Sequence, residues 1–217
     1  AAGFAYFGTS NSPGAVIKVD LTTFTRVGTL TLNTGENNLT SAVIDPAAGF
    51  AYFGTSTSPA KVVKVRLSDF TEVNALALNT GENTLRSAVI DSAAGFAYFG
   101  TGTTPGNVIK LDLTTFSRVG ALPLNTGENT LTSAAIDLSR GVAYFGTNTS
   151  PGIIIAVNLA TFSRNSAEVL NAGENLVVSG VMDVANCNAY FGTNTSPGIV
   201  IRKPCLTAPP TPTPSRS

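Results

Sequence analysis

The chain of 217 residues contains no histidine and no tryptophan, and it has only one methionine and two cysteines. Charged residues make up 12% of the sequence, and the 13 Lys and Arg residues balance the 13 Asp and Glu residues. Without net charge, no long-range field attracts nucleic acid or an anionic surface. No apolar run approaches the roughly 20 residues needed to cross a bilayer. We therefore expect neither a nucleic-acid partner nor membrane insertion.

One short sequence segment, AYFGT, occurs five times at a strict spacing of 46 residues. Its tyrosines are all the tyrosines of the chain: Tyr6, Tyr52, Tyr98, Tyr144 and Tyr190. A period of this size is typical of repeat proteins, in which a unit buries its apolar surface against copies of itself. We predict one repeat domain over residues 1–205, followed by a Pro/Thr-rich tail or linker at 206–217.

Each repeat divides at its turn residues into four strand-length segments, for example GFAYFGT, AVIKVDL, RVGTLTL and LTSAVID. Apolar and polar residues alternate, β-branched residues are abundant, and Gly or Pro recurs at the turns, which favours strands over helices. A four-stranded meander at this period is typical of a propeller blade. The predicted fold is all-β, a β-propeller-like array of four-stranded antiparallel blades. Counted from AYFGT, it has four full repeats plus a half repeat, with two strands missing from the last blade.

The order AYFGT, VIKVDLTTF, LTLNTGEN, SAVID resembles the YVTN-type, surface-layer-protein-like β-propeller repeats. The resemblance covers about residues 1–205 and lies in the order and length of the strands, whereas Phe-Gly-Thr stands where the family has Val-Thr-Asn. It implies a secreted or surface-located module for binding or scaffolding.

Two other repeated positions predict contacts between blades. Glycine recurs inside the first strand of every repeat, as in Gly8 and Gly100, where a missing side chain lets a neighbouring sheet approach closely. Phenylalanine recurs in the TTF-type turns, and we expect these rings to fill the space between blades. They are Phe24, Phe70, Phe116 and Phe162.

The most regular ionisable group is the glutamate of the NTGEN loop, which an asparagine follows in every copy. The candidate binding face consists of Glu36, Asn37, Glu82, Asn83, Glu128, Asn129, Glu174 and Asn175. Either each carboxylate accepts hydrogen bonds from its own loop, or the carboxylates and amides together hold a cation or a sugar. Because loop construction needs the same residue in every repeat, the first interpretation is favoured.

The two cysteines, Cys187 and Cys205, lie at equal distances on either side of the last hairpin loop. This placement predicts a cross-strand disulfide and a location outside the cytoplasm, extracellular or at the cell surface. A redox role is the alternative.

Several residues are candidates for glycosylation. Asn38, Asn148 and Asn194 begin N-x-Ser/Thr triplets, and the tail offers Thr207, Thr211 and Thr213 as O-glycan acceptors.

Catalysis has little support in the sequence. No histidine is present, no cysteine stands beside a base, and no nucleophile differs from its copies in the other repeats. We expect a protein that is not an enzyme, without cofactor or metal. The predicted function is a secreted structural or interaction protein that assembles head to tail with itself into a fibre or surface layer. The alternative is a module that binds a glycan or a cell-surface protein through the Glu/Asn loop face.

Overall fold

The structure, a computed structural model, describes residues 3–205. This part of the chain contains eighteen strands and no helix. The strands form five antiparallel sheets with three, four, four, four and three strands in chain order. The prediction of an all-β array of antiparallel sheets is confirmed. Within the described range, there is accordingly no helix that could cross a membrane.

The strands follow one another in chain order within every sheet. The first sheet contains β1 (Phe4–Gly8), β2 (Ala15–Asp20) and β3 (Thr25–Thr31). The second contains β4 (Leu39–Asp45), β5 (Phe50–Thr55), β6 (Lys61–Arg66) and β7 (Thr71–Ala77). The third contains β8 (Leu85–Asp91), β9 (Phe96–Thr101), β10 (Asn107–Asp112) and β11 (Ser117–Pro123). The fourth contains β12 (Leu131–Asp137), β13 (Val142–Thr147), β14 (Ile153–Asn158) and β15 (Ser163–Val169). The fifth contains β16 (Val177–Asp183), β17 (Asn188–Thr193) and β18 (Val200–Pro204).

The grouping of strands differs from the predicted four full repeats plus a half repeat. Every four-stranded sheet begins with the LTSAVID-type segment and not with AYFGT. The turn at residues 46–49 is short enough for a hairpin, whereas the longer connection at 32–38 passes to the next sheet. The prediction that the last blade lacks two strands is therefore wrong. In the described residues, the first and fifth sheets have three strands each, and the sheets do not close into a ring.

We name the strands by their position in a complete sheet. The first strands are β4, β8, β12 and β16, and the second strands, which carry AYFGT, are β1, β5, β9, β13 and β17. The third strands are β2, β6, β10, β14 and β18, and the fourth are β3, β7, β11 and β15. Among the described residues, the first sheet thus has no first strand and the fifth sheet has no fourth strand.

The apolar core lies between sheets, in four layers that we call junctions. At the junction of the second and third sheets, Tyr52 and Val62 of one sheet pack with Phe99, Ile109 and Leu111 of the next. The other three junctions repeat these positions. Because neighbouring side chains of a strand point to opposite faces, each AYFGT strand directs tyrosine toward the following sheet and phenylalanine toward the preceding one.

Hydroxyl groups also connect consecutive first strands. Thr40 donates to the carbonyl of Leu85 at 2.7 Å, and Ser87 donates to the carbonyl of Leu131 at 2.8 Å. Thr132 donates to the carbonyl of Val177 at 2.7 Å. The start of each of these strands is therefore fixed by the strand of the preceding sheet.

Glycine in the second strand permits this close approach, as the sequence predicts. A Cβ atom on Gly100 would lie 2.4 Å from Oγ of Ser87 and 2.7 Å from Cβ of Leu131 in the next sheet. By contrast, a Cβ on Gly120 would lie 3.7 Å from the nearest atom, in the Phe162 ring. Position 100 therefore excludes a side chain, whereas position 120 has room for a methyl group.

We expect Gly100→Ala to lower the free energy of unfolding by about 1–3 kcal/mol, because the added methyl group forces two packed strands apart. Gly120→Ala is the matched control and should change it by less than about 1 kcal/mol. Urea denaturation of the two variants tests this. Equal stability of the two variants would contradict the described packing.

Candidate functional site

Each glutamate of the candidate face accepts a hydrogen bond from its own loop. The donor is the backbone N–H of the asparagine three residues earlier, at 2.8–3.0 Å for Glu36, Glu82, Glu128 and Glu174. The first three glutamates are buried, with exposures of 3%, 6% and 4%. This geometry supports the interpretation that the carboxylates build the loops.

Arginines from the following sheet hold two of these carboxylates. Nε of Arg118, in β11, donates to both carboxylate oxygens of Glu82 at 2.9 Å, and its Nη2 also bonds Glu82. Arg164, in β15, binds Glu128 in the same way, and this hydrogen bonding raises the pKa of Arg164. A planar guanidinium fits a carboxylate in this two-pronged manner. Each pair clamps the exit loop of one sheet to the fourth strand of the next.

The first junction departs from this pattern because Glu72 occupies the position of the arginine. Its Oε1 accepts a hydrogen bond from Nδ2 of Asn33 at 2.8 Å. Burial raises the pKa of Glu72, and the charge of Glu36 raises it further. Lys61 places its Nζ 3.8 Å from Oε1 of Glu36 and is the nearby cation. Two carboxylates thus meet where the second and third junctions have an ion pair.

The last loop has no arginine partner in the part of the chain described. Glu174 is half-buried and accepts hydrogen bonds from the backbone and the side chain of Asn171. The offset of 36 residues found in the other two pairs leads from Glu174 to Pro210, which is not an arginine and lies outside the described residues. No contact of the described residues joins two of the four glutamates to each other. The structure brings them to neighbouring sheets and not into a ring.

The asparagines of the candidate face have a different environment. The Oδ1 atoms of Asn37, Asn83, Asn129 and Asn175 are buried and accept no hydrogen bond from the described residues. A buried amide oxygen without a donor is unfavourable, so a ligand or solvent donor at these positions would stabilise the loops.

The disulfide between Cys187 and Cys205 is present, as predicted. It joins the residue before β17 to the residue after β18, with a Cα–Cα distance of 5.2 Å. Cys187 has φ 53°, and glycines with positive φ occupy this position in the earlier repeats. Oδ2 of the buried Asp137 lies 3.4 Å from Sγ of Cys205. The sulfurs are bonded to each other, so this group provides no thiolate for a metal.

The predicted glycosylation sites differ in exposure. Asn148 and Asn194 are exposed, whereas Asn38 is half-buried and its Oδ1 accepts a hydrogen bond from Ser10. Thr207, Thr211 and Thr213 lie outside the described residues.

Lysines and aromatic rings line small clefts at two junctions. Nζ of Lys64 lies 4.1 Å from the Phe50 ring and 5.4 Å from the Phe116 ring, in a cleft of about 340 Å³. Burial, together with the charge of Asp45, raises the pKa of Tyr52 in this cleft to about 12. Its hydroxyl therefore stays protonated near neutral pH and is not a general base.

The TTF-type phenylalanines fill the space between sheets at three junctions, as the sequence predicts. Phe70, Phe116 and Phe162 each pack on the tyrosine of the preceding sheet, with ring centroids 5.8–6.0 Å apart. Phe24 is 84% exposed, because no described sheet precedes its own.

Sequence reasoning missed the arginine clamps and the exceptional Glu72. A signal was present, because Arg26, Glu72, Arg118 and Arg164 occupy one repeat position. In the second and third junctions, this repeat position lies 36 residues after the loop glutamate with which its arginine pairs. Opposite charges at a constant offset were the available signal.

We expect Arg118→Ala to lower the free energy of unfolding by about 1–3 kcal/mol, because it leaves the buried Glu82 carboxylate without its charged partner. Arg26→Ala is the matched control, since Arg26 is exposed and forms no ion pair with the described residues. Chemical denaturation should show an unchanged free energy of unfolding for this control. A neutral Arg118→Ala variant would contradict a stabilising clamp.

The Glu36–Glu72 contact predicts a pH effect. Because the folded-state pKa of Glu72 is raised above the ordinary value of 4.5, this residue stabilises the fold at low pH. Its contribution is lost as the pH rises through the folded pKa. Glu72→Gln should therefore lose less stability than the wild type between pH 4 and pH 7, as measured by thermal unfolding. Parallel pH profiles for the two proteins would contradict this prediction.

Comparison with known proteins shows similarity of fold alone. No protein-family model matches the chain, and no curated protein sequence matches it. A solved structure of Kuenenia stuttgartiensis hydrazine synthase superposes with a TM-score of 0.67 at 13% sequence identity. The match covers 88% of this chain and 60% of the hydrazine synthase chain. At this identity, the similarity indicates a shared architecture of stacked sheets and does not assign an activity.

Proposed function

We propose that this protein is an extracellular structural or interaction protein without enzymatic activity, which associates end to end with copies of itself. The observation that carries the proposal is that the first and the last of the described sheets expose the two halves of a junction. We also propose that its sheets form a propeller-type array of the kind found in the YVTN-type repeats that the sequence resembles.

The first sheet has an apolar face turned away from the second sheet, which we call the leading face. It includes Phe7 and Leu21, which are 57% and 55% exposed. Their counterparts in the second sheet, Phe53 and Leu67, are 1% and 5% exposed, because the first sheet covers them.

The fifth sheet has the complementary face, which we call the trailing face. It includes Val181 and Val200, which are 62% and 74% exposed. Their counterparts Val89 and Val62 are 7% and 0% exposed inside junctions. At every internal junction, the positions that form the trailing face in the fifth sheet pack against the positions that form the leading face in the first sheet. The two exposed faces are therefore complementary.

Burial of these side chains favours association. A fully buried Val, Leu or Phe side chain contributes about 1.5–3 kcal/mol. The burial of several such side chains opposes the roughly 4–15 kcal/mol that association costs in lost freedom. Because the two faces differ, the contact is heterologous and can propagate into a filament.

Two observations support the rest of the proposal. The disulfide is typical of oxidising compartments outside the cytoplasm. The glutamates that repeat most regularly are engaged in loop hydrogen bonds and arginine clamps, which favours construction over catalysis.

A glycan- or protein-binding module is the second candidate. It is favoured by the four buried asparagine oxygens that lack a donor. The double variant Glu82→Gln and Glu128→Gln separates the roles, since a binding site would lose ligand with the fold intact, whereas a clamp would lose stability.

We expect the wild-type protein to form chains of bead-like units at high concentration, visible by electron microscopy and as a rising mass in light scattering. Val200→Lys and Phe7→Ser should each abolish this assembly, because each places a polar group in the contact. Val119→Lys is the matched control, since Val119 is 53% exposed within an internal sheet. A wild-type protein that stays monomeric at every concentration would contradict the proposal.

A further inference from the structure

The cleft between the second and third sheets contains two groups of opposite charge that do not pair with each other. It has a volume of about 340 Å³, and Lys64 and Asp45 both contribute to its lining. Neither side chain forms an ion pair with any residue that the structure describes. Small-molecule sites have volumes of about 300–1,000 Å³ and a few polar groups among apolar ones. This cleft therefore has the size of a small-molecule site and carries two charges without partners.

The ammonium group of Lys64 lies among aromatic rings. Its Nζ lies 4.1 Å from the centroid of the Phe50 ring, 5.8 Å from that of Tyr52 and 5.4 Å from that of Phe116. The side chain is half-buried, and burial lowers the pKa of Lys64. The ring faces attract the cation without neutralising it. A carboxylate placed beside this ammonium group would therefore be stabilised.

The carboxylate of Asp45 lies on the other side of the charge balance. This residue is 6% exposed. Its Oδ1 accepts a hydrogen bond from the backbone N–H of Ala48 at 3.0 Å, whereas no described group donates to its Oδ2. Burial raises the pKa of Tyr52 and the charge of Asp45 raises it further, so the carboxylate lies near the Tyr52 hydroxyl. A charged donor at Oδ2 would be favourable, because a buried carboxylate needs partners for both oxygens.

The same arrangement recurs at the third junction. Nζ of Lys110 lies 3.8 Å from the centroid of the Phe96 ring and 5.7 Å from that of Phe162. Oδ1 of Asp91 accepts a hydrogen bond from the backbone N–H of Ala94 at 3.0 Å. Within the described range, this lysine and this aspartate also form no ion pair. The two unpaired charges are thus a repeated feature of the fold.

The fourth junction has neither unpaired charge. Ala156 occupies the position of the lysine. Asp137, at the position of the aspartate, pairs with Nη1 of Arg140 at 3.2 Å. Ala48 and Ala94 occupy the position of this arginine in the two sheets before it. The chain therefore supplies an internal cation for the carboxylate only at the junction without the lysine.

We propose that the cleft at the second junction, and the matching positions at the third, bind a free amino acid with an apolar side chain. At the second junction, Lys64 donates to the carboxylate of the ligand, and its ammonium group donates to Asp45. The apolar side chain contacts Phe50 and Leu113, which also line the cleft. A simple anion would meet the like charge of Asp45, and a simple cation would meet that of Lys64, so a zwitterion is selected. The site does not depend on the end-to-end association proposed above.

The experiment uses the complete chain with ¹³C-labelled lysine side chains, titrated with L-leucine and followed by NMR. We expect saturable shifts of the Lys64 and Lys110 signals, because each ammonium group gains a carboxylate partner. Lys61 and Lys203 are internal controls, since each is already paired with a glutamate, and their signals should not move.

Two analogues of leucine test the requirement for both charges. N-acetyl-L-leucine lacks the ammonium group, and L-leucinamide lacks the carboxylate. Each should bind at least tenfold more weakly than leucine, because each leaves one charged group of the cleft without its partner.

A variant of the protein locates the site. Asp45→Asn keeps an oxygen that can accept the hydrogen bond of the loop and removes the charge. The affinity reported by Lys64 should fall at least tenfold, whereas Lys110 in the same molecule should respond as before, which also shows that the fold is retained. Asp69→Asn removes an exposed carboxylate of the second sheet and is the matched control, with both responses unchanged.

A shift of the Lys64 signal that never saturates, equal affinity for leucine and its analogues, or an unchanged Lys64 response in Asp45→Asn would each overturn the inference. Tighter binding of glucuronate than of leucine would also overturn it, since the cleft would then be a site for an acidic sugar. Light scattering of the same protein without ligand reports separately on end-to-end association, so this inference and the proposed function fail independently.

Discussion

The opposite orientation of tyrosine and phenylalanine on the AYFGT strand is the constraint on which the structure depends. Each sheet has two apolar faces, and a face is buried only when another sheet lies against it. A single repeat could not fold alone, because both of its apolar faces would stay in water. Stability is therefore a property of junctions, and the first and last described sheets carry one exposed face each.

The same constraint accounts for the other repeated residues. Glycine in the second strand lets the next first strand approach, and serine or threonine then reaches the carbonyl of its neighbour. The loop glutamate orders the connection between two sheets, and at the second and third junctions an arginine of the following sheet clamps it. Departures from the repeat mark special places. Glu72 replaces an arginine at the first junction, and Cys187 replaces a glycine where a disulfide joins the last two strands.

The sequence was sufficient to predict the strands, the antiparallel meander, the disulfide and the rings between sheets, because each follows from local alternation or from a strict period. It did not determine where one sheet ends and the next begins. The segments at 32–38 and 46–49 both contain glycine and polar residues. The longer one is the crossover, and Leu32 and Leu39 at its ends pack in the first junction. The clamps were missed because a pairing over 36 residues has no local signature.

Hydrogen–deuterium exchange tests the dependence on neighbouring sheets most directly. The segment FAYFG occurs identically at residues 4–8, 50–54 and 96–100, so intrinsic exchange rates of its internal amides match, and only the surroundings differ. If junctions provide the stability, residues 4–8 should exchange much faster than the two internal copies, because a sheet covers one face and one edge of β1 is open. Equal protection of all three copies in the monomeric protein would contradict the account.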